Sequence, residues 1–170
     1  MADRSFLSWP FFEDRHRLLA TSLDTWAGQH LANIDHSDTD LACSGLVTAL
    51  GRDGWLEYAT VDPDGTATLD VRSLCLIREI LARHDGLADF SFAMQGLGTG
   101  AISLFGTDIQ KIKWLPKVRA GKLISAFALT EPQSGSDVAN STMTATLDGE
   151  SFVLNGEKTW ISNGGLADVY

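Results

Sequence analysis

The spacing of apolar residues changes period once along this chain, close to Lys122, and that change limits the folds open to it. Before Lys122 apolar residues recur every three to four positions, the repeat of helices with one buried face. After it the pattern is that of strands, with Asp-Gly and Asn-Gly pairs between short apolar runs. The prediction is an α+β chain: an all-α N-terminal helical domain over residues 1–121, then the first strands of an antiparallel β-barrel or sandwich domain over residues 122–170.

In the helical part, Phe12, Leu19, Leu23, Trp26 and His30 stripe one helix, and Pro10 suits its first turn, where a missing N–H is harmless. Leu46, Val47 and Leu50 mark a second helix, with Gly51 and Gly54 as its stops. "DPDGT" at 62–66 reads as a turn, and Asp70 as the N-cap of a third helix facing inward through Leu74, Ile77, Ile80 and Leu81. Thr107 and Gln110 stand at capping-box spacing and open the last helix, punctuated by Pro116 and Gly121. Between these, "LADFSFAMQGLGTGAISLFG" has two readings. One is a helix in which Gly96, Gly98 and Gly100, each roughly 1 kcal/mol worse than alanine, admit a closely packed neighbour. The other is a loop joining two short helices. Five helices are expected.

"LISAFAL", from Leu123, reads as a buried strand. Further strands are expected near 143–147, 151–154 and 157–162, with another from Leu166 and turns at Asp148-Gly149 and Asn155-Gly156. The apolar pattern runs on to Tyr170 without a turn or polar tail. Two or three strands cannot cover both faces and both edges, so a domain cut short is expected.

With a net charge of −9 and a pI near 4.7, the chain lacks the clustered cations that nucleic-acid binding requires. An anionic small ligand stays admissible, because it responds to local donors. Cys43 and Cys75 have no CxxC spacing and read as reduced core cysteines. His16, His30, His36 and His84 lack metal-ligand spacing, so no metal is expected. "MADRSFLSWPFF" has no signal-peptide core and no run is long enough to span a bilayer, which predicts a cytoplasmic chain without a membrane span.

Two clusters carry chemistry. In "FALTEPQSGSDVANSTM", Pro132 fixes the chain direction, Gly135 permits close approach or positive φ, and the amides and hydroxyls of Ser134 and Ser136 suit an anion-binding concavity. The alternative is an ordinary polar loop capped by Asp137; neither Walker spacing nor a strand-borne G-x-G-x-x-G accompanies it. In "KTWISNGG", a strand would put Trp160 and Ser162 on one face. An indole beside a hydroxyl suits a heteroaromatic ring, and equally the interior of a barrel.

Together, "ALTEPQSGSD" and "LNGEKTWISNGG" resemble the flavin-binding signature of the acyl-CoA dehydrogenases, at that family's separation and behind a helical region as in that family. The resemblance implies FAD as cofactor, an acyl-CoA thioester as substrate, and α,β-dehydrogenation with hydride passing to flavin N5. It also implies that the β-domain continues into a C-terminal helical bundle. Phe127, Leu129 and Thr130 would touch the isoalloxazine, with Thr130 at the pyrimidine end. Many members carry tyrosine at Phe127, so only packing is claimed there. Gly135 and Ser136 would approach the pyrophosphate and the acyl-CoA, Trp160 would stack near the dimethylbenzene side, and Ser162 would donate near N5. Met94, Leu97 and Gly98 would line or open the acyl-tail site.

The base that takes the α-proton is, in most members, a glutamate of the C-terminal domain. No catalytic residue is therefore assigned here, Glu131 is read as structural, and these residues alone are not expected to turn over. The resemblance further implies a homodimer or homotetramer and electron transfer flavoprotein as acceptor. Acyl-CoA oxidases and dehydrogenase-like flavin monooxygenases reuse the scaffold, and a non-catalytic half-subunit of a heteromeric flavoprotein is the reading from another class.

Overall fold

The computed structural model describes residues 3–64 and 68–170. Six α-helices come first: α1 Asp14–His30, α2 Thr39–Arg52, α3 Val71–His84, α4 Gly86–Gly98, α5 Gly100–Phe105 and α6 Asp108–Arg119. Strands β1 Thr144–Asp148 and β2 Ser151–Asn155 follow, paired antiparallel with Asp148 opposite Ser151. Short 3-10 turns cover Ser5–Ser8, Trp55–Ala59 and Val138–Asn140. Among the described residues no helix is long and apolar enough to cross a membrane.

The core is the junction of α1 to α4. Leu23 and Trp26 of α1, Leu46, Val47 and Leu50 of α2, Ile77 and Leu81 of α3 and Phe92 of α4 are all buried in it. These are the helical stripes read from the sequence, with three differences: Phe12 lies ahead of α1 and outside the core, Leu74 is only partly buried against it, and His30 is exposed and stacks on Trp26 at 4.8 Å between ring centroids.

Several local expectations are corrected. Pro10 lies ahead of α1, which Glu13 caps by a reciprocal bond with His16. Gly51 does not stop α2 but sits inside it, while Gly54 beyond the end takes the left-handed φ of 83°. Cys43 is buried as expected, whereas Cys75 is exposed on the outer side of α3. The expected turn at 62–66 falls partly on residues 65–66, outside the described residues.

Both readings of the glycine-rich segment hold in part. The helix breaks at Thr99, giving α4 and α5 and so six α-helices rather than five among the described residues. A Cβ on Gly96 would stand 2.9 Å from the Ala59 carbonyl oxygen, and one on Gly98 2.7 Å from Ser125, so these two admit close neighbours; Gly100 has none within 4 Å.

Asp70 does more than cap α3. It accepts from Arg72 N–H at 3.2 Å, from Ser73 Oγ at 2.9 Å and from His16 Nε2 at 2.9 Å. His16 is fully buried and its Nδ1 accepts from Glu13 N–H at 3.0 Å, which leaves the ring proton on Nε2 to donate. Burial works against the Asp70 charge, yet the His16 and Ser73 bonds and the Arg15 charge together hold its pKa down to about 2 from 3.8. A depressed folded-state value means stability that is complete above the unfolded pKa and lost as pH falls through the folded one. The tie is thus worth about 2 kcal/mol at neutral pH. Asp70→Asn should lower neutral-pH stability by that amount and flatten the stability profile between about pH 4 and pH 2, as read by chemical denaturation across that window.

Candidate functional site

The polar segment after Leu129 is organised by one buried carboxylate. Glu131 is 2% exposed. Its Oε2 accepts from Thr142 N–H at 2.7 Å, Thr142 Oγ1 at 3.0 Å and Gln133 Nε2 at 2.7 Å. Its Oε1 accepts from Met143 N–H at 3.0 Å and from the Lys158 ammonium at 2.8 Å. Lys158 foremost, with the Thr142 and Met143 amides, holds the pKa of Glu131 down to about 2. It is an anchor, charged and engaged on both oxygens, in keeping with its structural reading.

That anchor joins the two sequence clusters. Lys158 Nζ also donates to the Leu129 carbonyl at 2.8 Å, Thr159 N–H to the Thr130 carbonyl at 2.9 Å, and Asn163 Nδ2 to the Ser125 carbonyl at 3.0 Å. Ser125 in turn is seated on α4: its N–H and Oγ reach Gln95 Oε1 at 2.9 and 2.8 Å. Cys43 completes the base of the clamp, accepting from Ser91 Oγ at 3.3 Å beside Asn163, with its thiol pKa pushed up by burial.

Neither arm of the clamp is the strand expected from the sequence. Residues 123–129 run outside the β1–β2 sheet, with one parallel bridge from Ser125 to Val169. The amides of Ile124 and Ser125 go to the Asp168 and Gln95 side chains, and only that of Ala126 meets a backbone carbonyl, at Val169, so no ladder forms. The segment 157–162 turns rather than alternates, because Trp160 and Asn163 take left-handed φ values of 58° and 61°. The shared face for Trp160 and Ser162 required a strand and is withdrawn, and the strand expected from Leu166 reduces to the same bridge at Val169. At the hairpin the turn residues are Gly149 and Glu150, one position later than expected, because Asp148 ends β1 opposite Ser151; Asn155 ends β2 and Gly156 lies beyond it.

The predicted site residues fall in three places. Phe127 and Leu129, 39% and 38% exposed, and half-buried Thr130 lie along the first arm. Trp160, 90% exposed, and half-buried Ser162 lie on the second. Gly135 and Ser136 are exposed at the loop tip, and nothing in the chain comes within 4 Å of a Cβ built on Gly135. Gly135 does not take positive φ, and the Ser134 hydroxyl is spent on the Asp137 carbonyl, so the open space and the amides remain as the tip's resource.

Met94 and Leu97 border an open, mainly apolar groove of about 630 Å³ along α4, with Leu74, Phe90 and Ala93. Gly98 is turned to Ser125 instead. Among the described residues no group of histidine, cysteine or acidic side chains could hold a metal ion. Lys158, Asn163, Gln95 and Ser125 escaped the sequence reading. A lysine two residues before the tryptophan was the one available signal, since a half-buried cation requires a partner.

Trp160 is thus a large aromatic side chain held at positive φ and open to solvent, on an arm tied to the Leu129 and Thr130 carbonyls. The chain belongs to the acyl-CoA dehydrogenase family. Residues 13–122 match the acyl-CoA dehydrogenase N-terminal domain and residues 126–170 the acyl-CoA dehydrogenase middle domain. A probable acyl-CoA dehydrogenase of Bacillus subtilis (strain 168) is 36% identical over 94% of this chain and 28% of its own length. Among solved structures, an acyl-CoA dehydrogenase complexed with FAD from Bacillus anthracis superposes at a TM-score of 0.78, with 35% identity over 92% of this chain and 28% of that one. A glutaryl-CoA dehydrogenase from Mycobacterium smegmatis does so at 0.81, with 31% identity over 92% and 41%. The chain thus spans between about a quarter and two fifths of the length of these relatives.

Proposed function

We propose that this chain is the helical and first β-domain portion of an FAD-dependent acyl-CoA dehydrogenase, acting on an acyl-CoA thioester. The observation that carries the reading is Trp160, 90% exposed at a φ of 58° on a clamped backbone, a strained and uncovered indole that a stacked ring would cover. The donor set fits FAD. Phe127 and Leu129 offer an apolar border, Thr130 and Ser162 offer hydroxyls, and Gly135 and Ser136 offer open amides for a pyrophosphate. When bound, FAD supplies the hydride sink.

The chain's own residues orient that ring and border the acyl tail, which Met94 and Leu97 meet in the α4 groove. The α-proton falls to a base outside these residues: Glu131, ionised and surrounded by five donors, is unsuited to take it. Electron transfer flavoprotein as acceptor and a homodimer or homotetramer belong to the same proposal. Phe105 at 87% and Ile109 at 80% exposure on α5 and α6 are surfaces that further packing would cover.

The test is an anaerobic titration of the FAD-loaded protein containing these residues with a panel of acyl-CoA thioesters. Bleaching of the flavin band by one chain-length class is expected. No bleaching by any thioester, or rapid peroxide formation when the reduced protein meets air, would overturn the dehydrogenase reading.

A further inference from the structure

Lys158 makes a bond that its ion pair does not explain. Glu131 already accepts from the Thr142 and Met143 amides, the Thr142 hydroxyl and the Gln133 amide, so its oxygens are satisfied by neutral donors. The ammonium, on a side chain only 19% exposed, nevertheless extends past the carboxylate to the Leu129 carbonyl at 2.8 Å. A charge-assisted bond to a backbone carbonyl in a partly buried place is stronger than its neutral counterpart.

That carbonyl and the Thr130 N–H are two ends of one conjugated, trans peptide unit, so the N–H points opposite the carbonyl that Lys158 holds. Electron density drawn toward the oxygen leaves the N–H a better donor. The Thr130 N–H donates to no group among the described residues, while the Thr130 carbonyl is fixed by Thr159 N–H at 2.9 Å. A sharpened and unused donor therefore follows the half-exposed Phe127 and Leu129 on the first arm, and its residue is tied to the Trp160 arm through the Thr159 N–H.

We propose that Lys158 is a positioning residue whose ammonium polarises the Leu129–Thr130 peptide, so that the Thr130 N–H favours the electron-rich, reduced form of the flavin ring. The inference rests on the FAD reading above. It differs from a general bracing role, which Glu131 shares.

The measurement is the two-electron midpoint potential of bound FAD in the holoprotein, for wild type, Lys158→Met, Lys158→Arg and Glu131→Gln. Loss of the polarising charge in Lys158→Met should weaken the preference for reduced over oxidised FAD about tenfold, a fall of ~30 mV. Lys158→Arg should restore most of it. Glu131→Gln should leave the potential at or above wild type, since Lys158 still reaches the Leu129 carbonyl and has lost its counter-charge. If Lys158→Met does not retain FAD, Lys158→Gln, a neutral donor, reads the same shift with a smaller amplitude. An unchanged potential in the neutral variants, or an equal fall in Glu131→Gln, overturns the role. Wild-type protein that binds no FAD overturns the functional reading itself.

Discussion

Glu131→Ala should separate the start of β1 from the loop at Pro132–Asp137 and detach Lys158 from its carboxylate, weakening FAD binding by on the order of tenfold or more. Two backbone amides, two side-chain donors and one ammonium lose their acceptor together, and the ammonium is left 19% exposed with a single carbonyl. None of these residues belongs to the helical core, so the helical circular dichroism should be retained while flavin-fluorescence titration shows the loss. Wild-type affinity in this variant would mean that the clamp does not depend on the anchor. The acid behaviour follows with the sign of a depressed carboxylate. The clamp should be intact above the ordinary value of 4.5 and should fail as pH falls toward about 2.

Gly51→Ala and Gly45→Ala should move stability in opposite directions within one helix. A Cβ on Gly51 would land on the backbone of Ala120 and Gly121, just past α6, and neither can retreat like a flexible side-chain tip. Gly121 is itself confined, at φ +65° with Thr48 Cα 3.1 Å from any Cβ it might carry. Overpacking of this kind costs roughly 1–3 kcal/mol, about 2–9 °C in midpoint for a chain of this size. Gly45 has no atom within 4 Å of its Cβ position and a negative φ, so alanine there should stabilise by about 0.5–1 kcal/mol through the unfolded chain. Thermal unfolding of the two variants decides it; equal shifts would contradict the backbone-on-backbone seat.

The helical half was legible because burial there follows a short period. Leu23, Leu46, Leu50, Ile77 and Leu81 are core residues at the positions the spacing implies, and the Asp70 and Thr107 caps need only local hydrogen bonds. The break at Thr99 could not be separated from a continuous helix, since each glycine has its own cause: Gly96 meets Ala59, Gly98 meets Ser125, and Gly100 meets nothing.

Beyond Lys122 the apolar alternation misled. Whether an apolar segment becomes a strand depends on a neighbour to pair with, and "LISAFAL" finds Gln95, Asp168 and Asn163 side chains rather than a ladder. The left-handed Trp160 has no signature in composition or period, because its backbone is set by contacts from residues about thirty positions earlier. The motif resemblance singled out the two segments; only the fold exposed Lys158 as the link between them.

The Ser125–Gln95 joint has a mechanical consequence. Gly98 leaves a Cβ only 2.7 Å of clearance from Ser125, and two hydrogen bonds of 2.8–2.9 Å pin that serine to α4, so the joint has no slack. The groove along α4 and the arm bearing Phe127 to Thr130 therefore behave as a single rigid gauge. Any occupant of the groove would be held at a constant register from the Thr130 backbone, and a change that tilts α4 by about an ångström should displace both ends by comparable amounts.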